Sequence, residues 1–310
     1  MGLRKSIRKI FYHLRFKYLF YKNIRGNCIN AENYADPILL GNPKYTQIPK
    51  KIWIYWNNNP SKLILDCIDQ VKKINTEYEI FFLDDNTIIN YCKIDFNVFH
   101  ELTPQQKSDL IRFDLLYNYG GIWLDASIIL YRDLNWILQL CQDNKKECFA
   151  FYRKPNTIFF DFPVIENWLL ATSAKNNFFK FWRDELSYAL TIGVDNYLHN
   201  ISNLPNPNLY FQKIKNLKYF IAYVACQKVL RKEIPNIYLI NCDKNAFLYQ
   251  NITPKNKYVF LENMTLNYNP SQPPHLIKLI GSQRKNIEHY YNLKKFKKNS
   301  LLDFKLNCNN

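Results

Sequence analysis

Glycine is scarce in this chain, with seven in 310 residues. Phosphate-cradling glycine loops are accordingly missing: there is no P-loop, no G-x-G-x-x-G and no G-x-S-x-G. No CxxC joins any of the eight cysteines (Cys28, Cys67, Cys92, Cys141, Cys148, Cys226, Cys242 and Cys308). Without paired spacing they read as buried free thiols of a reducing cytoplasm, not as a disulfide framework. The five histidines (His13, His100, His199, His275, His289) include no pair at metal-ligand spacing, which excludes a zinc motif. No apolar run approaches a membrane span, and residues 1–26 lack the apolar core and cleavage site of a signal peptide. There is no internal repeat.

What is abundant is apolar and basic. An apolar fraction of 47% and an aromatic fraction of 16% supply a core and exclude a disordered chain. The length suits one large α/β domain with appendages. The net charge of +16 is concentrated at the ends: residues 1–25 carry eight Lys/Arg and no acid, residues 284–310 seven Lys/Arg and two acids. Basic ends on a near-neutral body suit an anionic membrane surface and argue against nucleic acid. Leu3, Ile7, Ile10, Phe11, Leu14, Tyr18 and Tyr21 recur at helical spacing among Arg4, Lys5, Arg8, Lys9 and Arg15. This predicts a basic amphipathic helix, able either to lie in a membrane interface or to pack on the domain.

The stretch from Thr103 to Leu130 organises the chain. Thr103 followed by Pro104 and Gln106 is a helix start of the capping-box type. Leu110, Ile111, Leu115 and Leu116 continue an apolar stripe, and Gly120-Gly121 ends the helix in a turn that needs φ > 0. Ile122-Trp123-Leu124 then reads as a buried strand with Asp125 at its carboxyl end, where open α/β sheets bind ligands. Asp109 and Arg112, three apart, share a helix face. On spacing alone they form an i,i+3 ion pair, and Asp125 merely ends a strand.

The order of the stretch points further. Ser108-Asp109-x-x-Arg112, Leu116 to Gly120-Gly121, and Trp123-Leu124-Asp125-Ala126-Ser127 resemble the donor-sugar motif of GT-A glycosyltransferases of the capsular polysaccharide synthesis group. That group is similar to glycosyltransferase family 32 and to the large clostridial glucosylating toxins. Ser127 stands where the D-x-D pattern has its last Asp. The resemblance implies an α/β, GT-A (Rossmann-like nucleotide-diphospho-sugar transferase) single domain with a basic N-terminal helix. The expected division is a basic segment 1–26, a polar connector 27–47, a catalytic domain 48–283 and a basic tail 284–310.

Along the chain, Ile48 to Trp56 is predicted as the first strand, Leu63 to Ile74 as a helix and Glu79 to Leu83 as the second strand. Asp84-Asp85 reads as the cap after that strand. Further strands are expected over Ser127–Tyr131, Glu147–Tyr152, Phe160–Ala171 and Ile237–Asn241. Helices are expected over Asn135–Leu140, Phe178–Leu190 and Lys215–Leu230.

By the resemblance, Asp109, Arg112 and Asp125 are the catalytic candidates. Tyr55, Trp56, Asp109, Arg112, Gly121, Asn167 and Lys278 are the donor-binding candidates, with Glu166 and His275 weaker. Tyr55 and Trp56 would stack on the base, Gly121 would let backbone approach the donor, and Lys278 would reach the diphosphate. Asp125 and Ser127 would hold a divalent cation, Mn²⁺ or Mg²⁺, that stabilises the departing diphosphate. The implied activity moves a sugar from a nucleotide donor, a UDP-sugar, with retention, to a saccharide or lipid-linked saccharide of the cell surface. The expected location is cytoplasmic, peripheral on the inner face of the membrane. A sugar-phosphate transferase and a non-catalytic membrane scaffold are the alternatives.

Overall fold

A computed structural model describes residues 2–252 and 257–305. Cys308 and the end of the basic C-terminal stretch lie outside the described residues, as do the side chains of Leu3, Arg4, Lys5, Arg8 and Lys9. In chain order the helices are α1 (Gly2–Tyr21), α2 (Lys62–Ile74), α3 (Pro104–Tyr119), α4 (Asn135–Asp143), α5 (Asn177–Thr191), α6 (Val194–Ser202), α7 (Asn208–Phe211), α8 (Ile221–Leu230), α9 (Leu248–Asn251), α10 (Lys257–Thr265) and α11 (Gly281–Asn292). The strands are β1 (Ile38–Leu40), β2 (Lys51–Tyr55), β3 (Glu79–Leu83), β4 (Gly121–Leu124), β5 (Ile128–Leu130), β6 (Cys148–Tyr152), β7 (Ile165–Thr172), β8 (Ile237–Asn241) and β9 (Leu276–Lys278).

Seven strands form one mixed sheet in the order β1-β8-β6-β7-β4-β2-β3, and β5 and β9 form a separate antiparallel pair. β3, β2 and β4 are mutually parallel, and β6 runs parallel to β8. β7 is antiparallel to both β4 and β6. The five parallel strands therefore end at one edge, and the reversed β7 begins there. Helices α3, α5 and α8 cover one face, with Phe113, Trp182 and Val224 in its core. Helices α2 and α4 cover the other, with Ile68 and Ile137. This is the α/β, Rossmann-like class that the sequence predicts.

The turn between α3 and β4 is fixed by its two glycines. Gly120 has φ +66°, and a Cβ there would sit 2.6 Å from the Ala174 nitrogen. Gly121 has φ +94°, and its Cβ would sit 2.6 Å from the Lys51 carbonyl. Trp53 donates its indole N–H to the Gly120 carbonyl at 2.8 Å, which ties the turn to β2.

Several boundaries differ from expectation. The connector 27–47 is not all loop, because Ile38–Leu40 pairs with β8 as the edge strand β1. Three residues carry no periodicity, so only the available edge reveals them. Phe160–Val164 does not join the strand that follows; Pro163 lacks the N–H that a ladder needs. The helix expected from Lys215 begins at Ile221.

The basic C-terminal stretch is packed, not free, as far as Phe304. Ile287, Tyr290, Tyr291, Leu301, Leu302 and Phe304 are buried in a third core that also holds Phe16 of α1 and Phe260 of α10. All seven described cysteines are free and six are buried. No described helix is long and apolar enough to cross a membrane.

The Gly120→Ala variant should lose roughly 2–5 kcal/mol of stability, since left-handed strain and backbone overlap add. The midpoint of urea unfolding measures this, and an unchanged midpoint would show that the turn tolerates a side chain.

Candidate active site at the carboxyl edge of the sheet

Helix α3 delivers the first two polar groups. Its capping box forms as the sequence predicts: Gln106 N donates to Thr103 Oγ1 at 3.2 Å, and Thr103 N donates to Gln106 Oε1 at 2.9 Å. With the helix start fixed and the glycine turn at its end, Asp109 and Arg112 point into the protein, 2% and 4% exposed. They form the expected i,i+3 pair, Arg112 Nη1 to Asp109 Oδ1 at 2.7 Å. A surface pair would end there. Here the second guanidinium nitrogen continues to Asp125 Oδ1 at 3.0 Å.

Asp125 lies just beyond β4, pinned by its backbone N–H to the Trp168 carbonyl of β7 at 2.9 Å. Because β7 starts at this edge, Asn167 arrives beside it and donates to Asp109 Oδ1 at 3.1 Å. The Trp123 indole donates to Asp125 Oδ1 at 2.9 Å, and the Arg112 guanidinium lies 5.0 Å from that ring. From the small sheet, Lys278 Nζ reaches Asp125 Oδ2 at 2.6 Å and Ser127 Oγ at 2.9 Å. β5 and β9 bring these partners together, with Ile128 opposite Lys278. The Asp125 side chain is 24% exposed and that of Lys278 10%.

Charge sets the ionisation. Burial pushes the Asp109 carboxyl up to about 6, against the pull of Arg112. Burial also acts on Asp125, but Lys278 and Arg112 outweigh it and hold that carboxyl below its usual range. Burial lowers Lys278 from its ordinary value, and Asp125 opposes the shift.

The remaining candidates divide. Tyr55 is buried, and its hydroxyl donates to Asp85 Oδ1 at 2.5 Å, which Lys107 also reaches at 2.5 Å. Asp84 caps the turn after β3 through the Asn86 and Thr87 backbone N–H groups, so the pair is split between a cap and an ion pair. Trp56 is half-buried at the end of β2, with Arg284 of α11 lying 5.0 Å from its ring.

At Gly121 a Cβ would meet the Lys51 backbone and side chain, so the glycine permits the close approach of β4 to β2. Glu166 is turned to Tyr223, whose hydroxyl donates to it at 2.7 Å. His275 is not at this edge. It lines a cavity of about 980 Å³ with Tyr34, Tyr131 and Arg132, away from Asp125. Arg284 escaped the sequence reading because its basic neighbours read as a tail. The only signal was its position six residues after Lys278.

A divalent cation fits these residues poorly. Asp125 has both oxygens engaged by N–H donors, and the Ser127 hydroxyl donates to the Leu279 carbonyl at 3.1 Å while accepting from Lys278. Among the described residues no group of three or more His, Cys, Asp or Glu could hold a metal. Mg²⁺ and Mn²⁺ favour sites rich in oxygen ligands, whereas the position between Asp125 and Ser127 is taken by an ammonium.

Residues 13–191, more than half of the chain and including Asp109, Arg112, Asp125 and Asn167, match the capsular polysaccharide synthesis protein family. The chain belongs to this family. A glycosyltransferase of Aspergillus fumigatus is 26% identical over 128 residues, 36% of this chain and 33% of that protein. An O-glycosyltransferase of Annulohypoxylon truncatum is 26% identical over 153 residues, 43% of this chain and 36% of that protein. The chain thus spans about a third of the length of the curated relatives it matches. Among solved structures, the galactosyltransferase LgtC in complex with donor and acceptor sugar analogues superposes with a TM-score of 0.43. It is 10% identical, over 80% of this chain and 96% of that one.

A carboxyl-resolved NMR titration should find one aspartate, Asp109, ionising near pH 6. Arg112→Met removes the strongest influence holding it down and should move that titration upward. Ionisation of every aspartate near the usual value of about 4 would refute the burial argument.

Proposed function

We propose that this chain is a glycosyltransferase that uses a nucleotide-diphosphate sugar. One observation carries the reading: Asp125, at the carboxyl edge of a largely parallel sheet, is bracketed by Arg112 and Lys278 and backed by Asp109 and Asn167. Polar groups converging at such an edge belong to a ligand, because strand packing alone asks for none. Arg112 and Lys278 face Asp109 and Asp125, and the nearby Arg284 pairs with Glu288 at 3.5 Å, so three cations stand against three carboxylates at this edge. Concentrated N–H donors from Arg112 and Lys278 offer hydrogen bonds to phosphate oxygens.

In this reading the diphosphate lies against Lys278 and Arg284, and the base stacks near Trp56 with Tyr55 and Asp85 behind it. Asp109 and Asn167 hold hydroxyls of the donor sugar, while Arg112 keeps both carboxylates in register through its planar fork. The donor is a UDP-sugar and the acceptor a hydroxyl of a growing surface polysaccharide, which accords with the family. Transfer proceeds with retention, the acceptor proton passing to the leaving phosphate, so no protein base is assigned. The catalytic unit takes in the expected domain 48–283 together with Arg284 of α11 just beyond it.

The exposed face of α1 supports a peripheral location on a membrane surface. Ile7, Ile10, Phe11, Leu14, Tyr18 and Tyr21 are each 58–72% exposed and follow helical spacing. The helix is held to the body by its other side, where Phe16 is buried, Tyr12 stacks on Tyr258 at 4.3 Å and Arg15 pairs with Glu262 at 2.8 Å. An outward apolar stripe on a segment with eight Lys/Arg and no acid suits the interface of an anionic membrane, close to a lipid-linked acceptor.

Two experiments test these readings. Purified protein incubated with UDP-, GDP- and CMP-sugars, with Mn²⁺ or with EDTA, should release nucleotide from one donor. Asp125→Asn and Arg112→Lys should each slow it by about 10²-fold or more, since both disturb charge placed for the transition state. Failure to bind any of these donors by calorimetry would refute the transferase reading. For the location, the protein should sediment with phosphatidylglycerol vesicles but not with phosphatidylcholine vesicles. Replacing Phe11 and Leu14 by Asp should cut that binding by at least about tenfold. Unaltered binding would refute the role of α1.

A further inference from the structure

We infer that Lys278 supplies, from the chain itself, the positive charge that a divalent ion would bring to the departing diphosphate, so that transfer needs no metal. The inference rests on the transferase reading above and goes beyond it.

Position is the first support. Lys278 Nζ lies between Asp125 Oδ2 at 2.6 Å and Ser127 Oγ at 2.9 Å. These are the two oxygens that a D-x-S motif would offer to a cation, and the ammonium fills the gap between them.

Orientation is the second. The Ser127 hydroxyl spends its hydrogen on the Leu279 carbonyl at 3.1 Å, which leaves its lone pairs facing Lys278. Asp125 Oδ1 is already held by Arg112 and Trp123. Each oxygen is therefore arranged to accept from a nitrogen.

Donor arithmetic is the third. An ammonium has three N–H groups. Two are used by Asp125 and Ser127, and the third has no acceptor among the described residues. It is available to a phosphate oxygen. Immobility is the fourth: the Lys278 side chain is 10% exposed on β9, whose backbone pairs with β5, and its carbonyl accepts from Gln250. A divalent ion arriving at Asp125 would have to coexist with this buried ammonium and with Arg112, in a medium that screens repulsion weakly.

The transfer step balances without a metal. The bond from the anomeric carbon to the diphosphate oxygen breaks, and its electron pair remains on that oxygen. A new bond forms from the anomeric carbon to the acceptor hydroxyl oxygen, and the hydroxyl proton passes to the departing diphosphate. The charge gathering on that oxygen meets the third Lys278 N–H, with Arg284 alongside.

The test uses the intact chain, freed of metal on a chelating resin, and the donor that the panel above identifies. Wild type should turn over that donor in EDTA at about the rate seen with Mn²⁺, whereas Lys278→Met should be slower by about 10²-fold under both conditions, with partial recovery in Lys278→Arg. Manganese titrated into wild type with UDP should show no stoichiometric binding by electron paramagnetic resonance. A requirement for Mn²⁺ or Mg²⁺, stoichiometric Mn²⁺ binding, or full activity in Lys278→Met would overturn the inference and leave the transferase reading standing. Absence of donor binding with and without metal would remove both.

Discussion

The carboxylate of Asp125, held between a guanidinium and an ammonium, is the constraint on which the site depends. Its two cations come from distant segments, Arg112 from helix α3 and Lys278 from strand β9. Neither the main sheet nor the small one makes the site alone. Removing one member of such a partly buried cluster strands the others, which costs about 3–5 kcal/mol for a buried pair. An apolar replacement of the whole cluster would serve stability as well or better. Its presence at the carboxyl edge is therefore an argument for chemistry, and the large clusters on either face of the sheet account for the fold without it.

The rest of the architecture makes the edge precise. The capping box sets where α3 begins, the glycine pair sets where it ends, and the two together determine which way Asp109 and Arg112 face. The reversed direction of β7 brings Asn167 to the same edge as Asp125, although the two strands come from opposite sides of a long connection. The segments at the two ends of the chain meet in a third core around Phe16, Phe260 and Leu301, and α11 supplies Arg284 from there. What composition marks as two basic appendages is thus joined to the body that carries the site.

Helix α1 shows how one pattern can conceal two roles. Its regular apolar stripe is the sort that normally faces a core, yet in this structure it faces outward. The residues that interrupt the polar side, Tyr12, Phe16, Leu19 and Phe20, are the ones that dock. The periodicity was legible, but its direction was not, because a helix apolar on both sides offers two faces and only the shape of the body chooses between them.

Local information thus determined a good deal by itself. Helix α3 with its cap, the glycine turn, the limits of β3 and β8 and the free state of the described cysteines all follow from patterns within a few residues. The pairing of Asp109 with Arg112 follows likewise, since three residues on a helix fix the distance. Only tertiary structure decided that Arg112 bridges to Asp125, that Lys278 reaches both Asp125 and Ser127, that Gly121 lies close against Lys51 and that His275 lines a cavity with Tyr34 and Arg132. These are contacts between segments far apart in sequence. Their distances depend on sheet order, strand direction and register, which are set by the burial of the whole chain at once.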